Sequence, residues 1–98
     1  MPAYVIAHID VTDPNAYEGY RSQVMPTVTA HGGRFLVRGG AIERVEGSMD
    51  WKRLVVLEFA DVAAARRWYN SPEYQRIAKI RQSASRGDVI LVEGAPPT

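Results

Sequence analysis

Cysteine is missing from the 98-residue chain. Its absence excludes disulfides, thiolate nucleophiles, zinc ribbons and iron–sulfur clusters, so stability has to come from packing. Histidine occurs twice, as His8 and His31. His8 lies late in a strand-like run and His31 at the far end of a helical one, so neither a metal site within the chain nor a heme site is expected. Neither sign of charge dominates. Twelve Lys and Arg against eleven Asp and Glu leave a net charge of +1, which supplies no electrostatic footprint for nucleic acid or an anionic membrane. No apolar run approaches the ~18 residues of a membrane span, and Met1-Pro2-Ala3-Tyr4 carries no basic leader. A cytoplasmic location is therefore expected. The standard cofactor and nucleophile signatures are also missing: no G-x-G-x-x-G after a strand, no P-loop, no H-E-x-x-H and no nucleophile elbow. No cofactor is expected.

What is present is the composition of one globular domain, 46% hydrophobic and 23% charged, expected over residues 1–95 with a short tail at 96–98. Residues 3–11 alternate Tyr4, Ile6, His8 and Asp10 against Val5, Ala7, Ile9 and Val11, which is a strand pattern. Asp13-Pro14 opens a helix. Its stripe of Tyr17, Tyr20, Val24 and Val28 runs to His31-Gly32-Gly33, and Pro26 kinks it. A second strand covers residues 34–38, bends at Gly39-Gly40 and continues extended over 41–46. A turn at Gly47-Ser48-Met49-Asp50 leads into a third strand over 52–59. Asp61 caps a second helix, interrupted at Asn70-Ser71-Pro72 and resumed with Tyr74, Ile77, Ala78 and Arg81 on one face. The last strand covers 88–93.

The order β-α-β-β-α-β is the split β-α-β, or ferredoxin-like, α+β plan: a four-stranded antiparallel sheet with two helices on one face and strands one and three in the centre. The uncovered face, with Tyr4, Ile6, Leu36, Leu54 and Val56, is too apolar to stay exposed, so a homodimer through that face is expected.

The string Gly32-Gly33-Arg34-Phe35-Leu36-Val37-Arg38-Gly39-Gly40, then Glu46-Gly47, Arg53-Leu54-Val55-Val56-Leu57-Glu58-Phe59, Trp68-Tyr69-Asn70-Ser71-Pro72-Glu73-Tyr74-Gln75 and Arg81 resembles the domain-of-unknown-function family 1330. The resemblance covers nearly the whole chain. It implies the dimeric α/β-barrel superfamily, in which two ferredoxin-like protomers pack sheet against sheet. Other branches of that superfamily include cofactor-free monooxygenases, muconolactone isomerases, stress-responsive proteins and heme-dependent enzymes.

The candidate chemistry lies on the uncovered face. Counting back from a turn at 47–50 sets Arg38 opposite Glu58, where the two could form an ion pair that fixes dimer register or binds a substrate oxygen. His8 is the candidate general base, since its ordinary pKa lies near neutrality. Tyr4 and Asp10 share that face as candidate pocket residues. Tyr20, Trp68 and Tyr69 on the helices read as core aromatics, or as the wall of a pocket for a planar ligand. Arg81 is expected to lay its stem over the core and pair at the surface. Two functions follow: a cofactor-independent oxygenase or isomerase acting on a small aromatic or enolisable substrate, or a non-catalytic ligand-binding or dimerisation module.

Overall fold

The alternation in the first strand sets the layers. In the computed structural model, which describes residues 1–96, β1 (Ala3–Val11) turns Val5 and Ile9 into a buried core and leaves Tyr4, Ile6, His8 and Asp10 on the other face. The chain continues through α1 (Pro14–Arg21), α2 (Val24–Ala30), β2 (Arg34–Arg38), β3 (Arg53–Phe59), α3 (Val62–Asn70), α4 (Pro72–Ala84) and β4 (Ser85–Glu93). The strands form one antiparallel sheet in the order β2-β3-β1-β4, with strands one and three in the centre as expected. Residues 97 and 98 of the expected tail lie outside the described residues.

Each expected helix is two segments, and local chemistry sets the breaks. Asp13 accepts from the Ala16 N–H at 3.1 Å and Pro14 occupies the first turn, which starts α1. Pro26 has no N–H to offer the Ser22 carbonyl, so the helix ends at Ser22 and restarts as α2 behind Gln23. Asp61 accepts from the Ala64 N–H at 2.7 Å and starts α3. Ser71 ends α3 with an extended backbone, then caps α4 by accepting from the Tyr74 N–H at 3.2 Å.

Both helical connections pack on the same face of the sheet. Trp68 is the largest fully buried side chain, stacked between Phe59 and Tyr74 at ring distances of 5.4 and 4.1 Å. Its indole N–H donates to Thr27 Oγ1 at 3.0 Å, which satisfies the polar end of a side chain otherwise held by apolar contact. The molecule measures 39 × 38 × 17 Å. Its short dimension holds one sheet and one helix layer, so among the described residues no second layer backs the other sheet face. Among the described residues no helix is long and apolar enough to cross a membrane.

Two expected strand boundaries are corrected. Residues 41–46 are not a strand: the β2 ladder ends where Arg38 pairs with Val55, and residues 41–50 leave the sheet as an irregular, exposed excursion with no strand beside it. That excursion carries Ile42, Met49 and, at 91% exposure, Val45. The last strand starts at Ser85, three residues before the predicted start. Gly87 makes this possible by passing so close to the His8 carbonyl that any Cβ there would overlap it.

Candidate functional site

The open sheet face carries His8 and Glu58, but it does not bring them together. Tyr4 pairs with Glu58 and His8 with Leu54 in the β1–β3 register, so four residues, roughly 13 Å along a strand, separate the two side chains. Glu58 is already engaged: its Oε1 accepts from Arg34 Nε at 2.8 Å. His8 Nε2 accepts from the Lys52 backbone N–H at 2.9 Å, and its ring leans on Trp51 with centroids 5.0 Å apart. Its ε lone pair is thereby committed to holding the end of the excursion against β1. Asp10 lies further along the same face, with Arg86 as its register partner on β4.

The expected Arg38–Glu58 ion pair does not form. Phe35 pairs with Leu57 and Val37 with Val56, so Leu36 is an extra residue in the edge strand. This bulge reverses the alternation after it and turns Arg38 to the helix side. There its guanidinium donates to the Arg21 carbonyl at 2.8 Å and lies 4.4 Å from the Phe35 ring centroid.

Arg38 thus joins a cavity between the helix layer and the sheet. Its volume is about 30 Å³, enough for one or two waters, and its wall includes Tyr17, Tyr20, Phe35, Trp68 and Tyr74 together with Arg21, Arg38, Arg53 and Arg81. Among the described residues no Asp, Glu or His lines it. Tyr20 and Tyr74 place their hydroxyls 2.9 Å apart in the buried interior. Burial pushes the Tyr20 phenol far above its ordinary pKa, and the neighbouring Tyr74 pushes it further, so the phenol keeps its proton and serves as a hydrogen-bonding group.

Arg81 comes from α4 and is 8% exposed. The expectation that it pairs at the surface is overturned. Desolvation works against its charge, but the Tyr74 and Tyr20 hydroxyls outweigh it and raise the pKa, so the guanidinium stays charged inside the protein. Its Nε has no hydrogen-bond partner, and neither does the buried Nε of Arg53. Arg53 comes from the start of β3 and lies 5.8 Å from the Tyr17 ring centroid. It passes against Gly39, whose φ of +71° and lack of a Cβ leave room for the guanidinium. Only Arg21 of the four has an acid partner, a two-pronged bond to Glu18 at 2.8 and 2.9 Å.

Of the candidates named from the sequence, Arg38, Tyr20 and Trp68 line this cavity. Tyr4, His8, Asp10 and Glu58 belong to the open face. Tyr69 packs on Trp68 and Tyr74 but lines a separate hollow beside β4. Sequence reasoning missed Arg53 as a site residue and misplaced Arg81. The signals were present: Arg53 shares the parity of buried Leu57 and Phe59, and Arg81 shares the helical stripe of buried Tyr74, Ile77 and Ala78.

The sequence matches the model of a family described as a domain of unknown function, DUF1330, over residues 2–95. The chain belongs to DUF1330. A search of curated proteins finds no match to this DUF1330 chain. Its fold is similar to that of RPA0582, a protein of unknown function from Rhodopseudomonas palustris, with a TM-score of 0.79 at 20% identity over 98% of this chain and 84% of that one. It is also similar to SnoaB, a cofactor-independent oxygenase from Streptomyces nogalater, with a TM-score of 0.70 at 16% identity over 98% of this chain and 95% of that one. A third similar structure is a dimeric ferredoxin-like protein of unknown function from Jannaschia sp. CCS1, with a TM-score of 0.66 at 16% identity over 96% and 100% of the two chains. At these identities the likeness is one of fold, and the DUF1330 chain shares the ferredoxin-like architecture with all three.

Proposed function

We propose that the protein is a cytoplasmic homodimer, paired through its open sheet faces, in which each protomer binds a small aromatic or enolisable molecule at the cavity between helices and sheet, with only the polar head of that molecule inside the space of about 30 Å³. The observation that carries this reading is the buried Tyr20–Tyr74 hydroxyl pair set in an aromatic wall with Trp68. The paired phenols offer a polar head a donor and an acceptor, and the aromatic rings line the space that the head enters. The dimeric state is supported by the unbacked face, on which Ile90 is 52% and Val92 41% exposed. His8 and the Arg34–Glu58 pair then serve to orient that interface.

Turnover is a second reading, favoured by Arg81 beside the phenol pair. A buried guanidinium stabilises an enolate or phenolate oxygen more than it would in water, and so promotes loss of the substrate proton. With no Asp, Glu or His among the described residues of the wall, the substrate proton would pass to water rather than to His8.

The test is a titration with phenol and acetylacetone, followed by NMR at the Trp68 indole N–H. Saturable shifts of that signal, weakened in Tyr74→Phe, are expected. Shifts confined to His8 and its neighbours on the open face would reject the cavity as the site. Oxygen uptake or substrate isomerisation in the same samples separates turnover from binding alone.

A further inference from the structure

We infer that the cavity takes an organic carboxylate, with Arg53 and Arg81 as its counter-ions and Arg38 at its rim. This rests on the reading of the cavity as a ligand site, and it adds the charge of the ligand. Three of the four arginines in the wall, Arg38, Arg53 and Arg81, have no carboxylate within salt-bridge distance among the described residues. Buried charges are ordinarily paired, because a lone desolvated guanidinium is costly on the scale of a domain's whole stability. Here two arginines of the same wall each carry an unpartnered, solvent-shielded Nε, and Arg81 is more than nine-tenths buried. Glu18 feels the charges of Arg38 and Arg53, but it is exposed and both of its oxygens are bound by Arg21, so it forms no ion pair with either. An anion from outside the chain completes this set.

The geometry also limits its shape. About 30 Å³ receives a carboxylate head, which has the size of the one or two waters the space holds. The body has somewhere to go: a broad surface hollow lined by Met25, Pro26 and Thr29 shares Arg21 and Arg38 with the cavity. The ligand class is therefore a small monocarboxylic acid whose head lies between guanidiniums and whose apolar body leaves past Arg38. A planar carboxylate suits the forked guanidinium better than a spherical anion does.

Benzoate and its uncharged isostere benzamide provide the test, titrated by NMR into the wild-type protein, Arg53→Met, Arg81→Met and the surface control Arg67→Met. Benzoate is expected to bind the wild type and Arg67→Met alike, about tenfold or more tighter than benzamide, and to lose about that factor in either site variant. If Arg81→Met does not fold, the half-buried Arg53 carries the comparison. Equal binding of the two probes at the Trp68 indole, unaffected by Arg53→Met, would overturn the carboxylate and leave the cavity reading standing. Absence of any shift at Trp68 with benzoate, benzamide or phenol would overturn both.

Discussion

Leu36 turns Arg38 from one face of the sheet to the other, and with it moves the centre of charge from the open face to the helix side. A single bulged residue in an edge strand leaves little trace in composition or periodicity, because Arg34, Leu36 and Arg38 alternate perfectly on paper. The Arg38–Glu58 pairing fails for a further reason: it assumes a tight turn at 47–50, whereas the connection leaves the sheet after β2 and sets Arg34, not Arg38, opposite Glu58. Arg81 departs from expectation for another reason: arginine is ordinarily exposed, but its helical stripe sets it beside buried Tyr74 and Ile77. The same residues carry two predictions. Arg53→Met removes a guanidinium that has no acid partner but keeps most of its apolar stem. Replacing a buried charge by an apolar side chain of similar shape is often stabilising by about 1 kcal/mol or more, so Tm measured without ligand should rise by roughly 4 °C or more. A lower Tm would mean that Arg53 is satisfied within the protein. The second concerns alkali. Tyr20 has its pKa raised in the folded state, while in the unfolded chain it ionises near ~10. Above that pH the unfolded state binds fewer protons than the folded one, so the Tyr20 contribution is fully present below pH ~10 and is lost as pH rises, by up to about 1.4 kcal/mol per pH unit. Denaturant unfolding from pH 9 to 11 should show this loss, and Tyr20→Phe should flatten it.

At the scale of elements, the starts and stops were the most legible feature. Asp13-Pro14, Asp61 and Ser71-Pro72 each act through a side-chain oxygen and, in two cases, a proline ring, both of which are local and readable. Ser71 serves two segments, closing α3 and capping α4, so Ser71→Ala should cost about 1 kcal/mol or somewhat more in chemical denaturation. A change within error would show that the Pro72 ring alone suffices. The excursion between β2 and β3 was not legible, since residues 41–46 have ordinary strand residues such as Ile42 and Val45. Strand formation there depends on a neighbour, and the ladder had already ended at Arg38 and Val55. Gly39 both bends the chain after β2 and leaves the gap through which Arg53 reaches the cavity wall.

For the whole molecule, the four-stranded plan and its strand order could be read from the alternation of elements, because right-handed crossovers leave few arrangements. The proposed dimer follows from a 17 Å plate with an unbacked apolar face. Light scattering should give twice the chain mass at micromolar concentration, and Val56→Asp, which sets a carboxylate in the middle of that face, should give the monomer mass or an unfolded chain. A stable Val56→Asp dimer would move the interface to the excursion or the sheet edges. Dimer and cavity use opposite faces of one sheet, so the cavity should keep its ligand response wherever the protomer stays folded. Which of the two faces binds the small molecule is answered most directly by crystals soaked in para-bromobenzoate, with the bromine located by its anomalous scattering. The expected map has the carboxylate between Arg53 and Arg81 and the bromine toward Met25 and Pro26. Bromine ordered beside His8 on the open face, with the arginine cavity unoccupied, would contradict the assignment of the site.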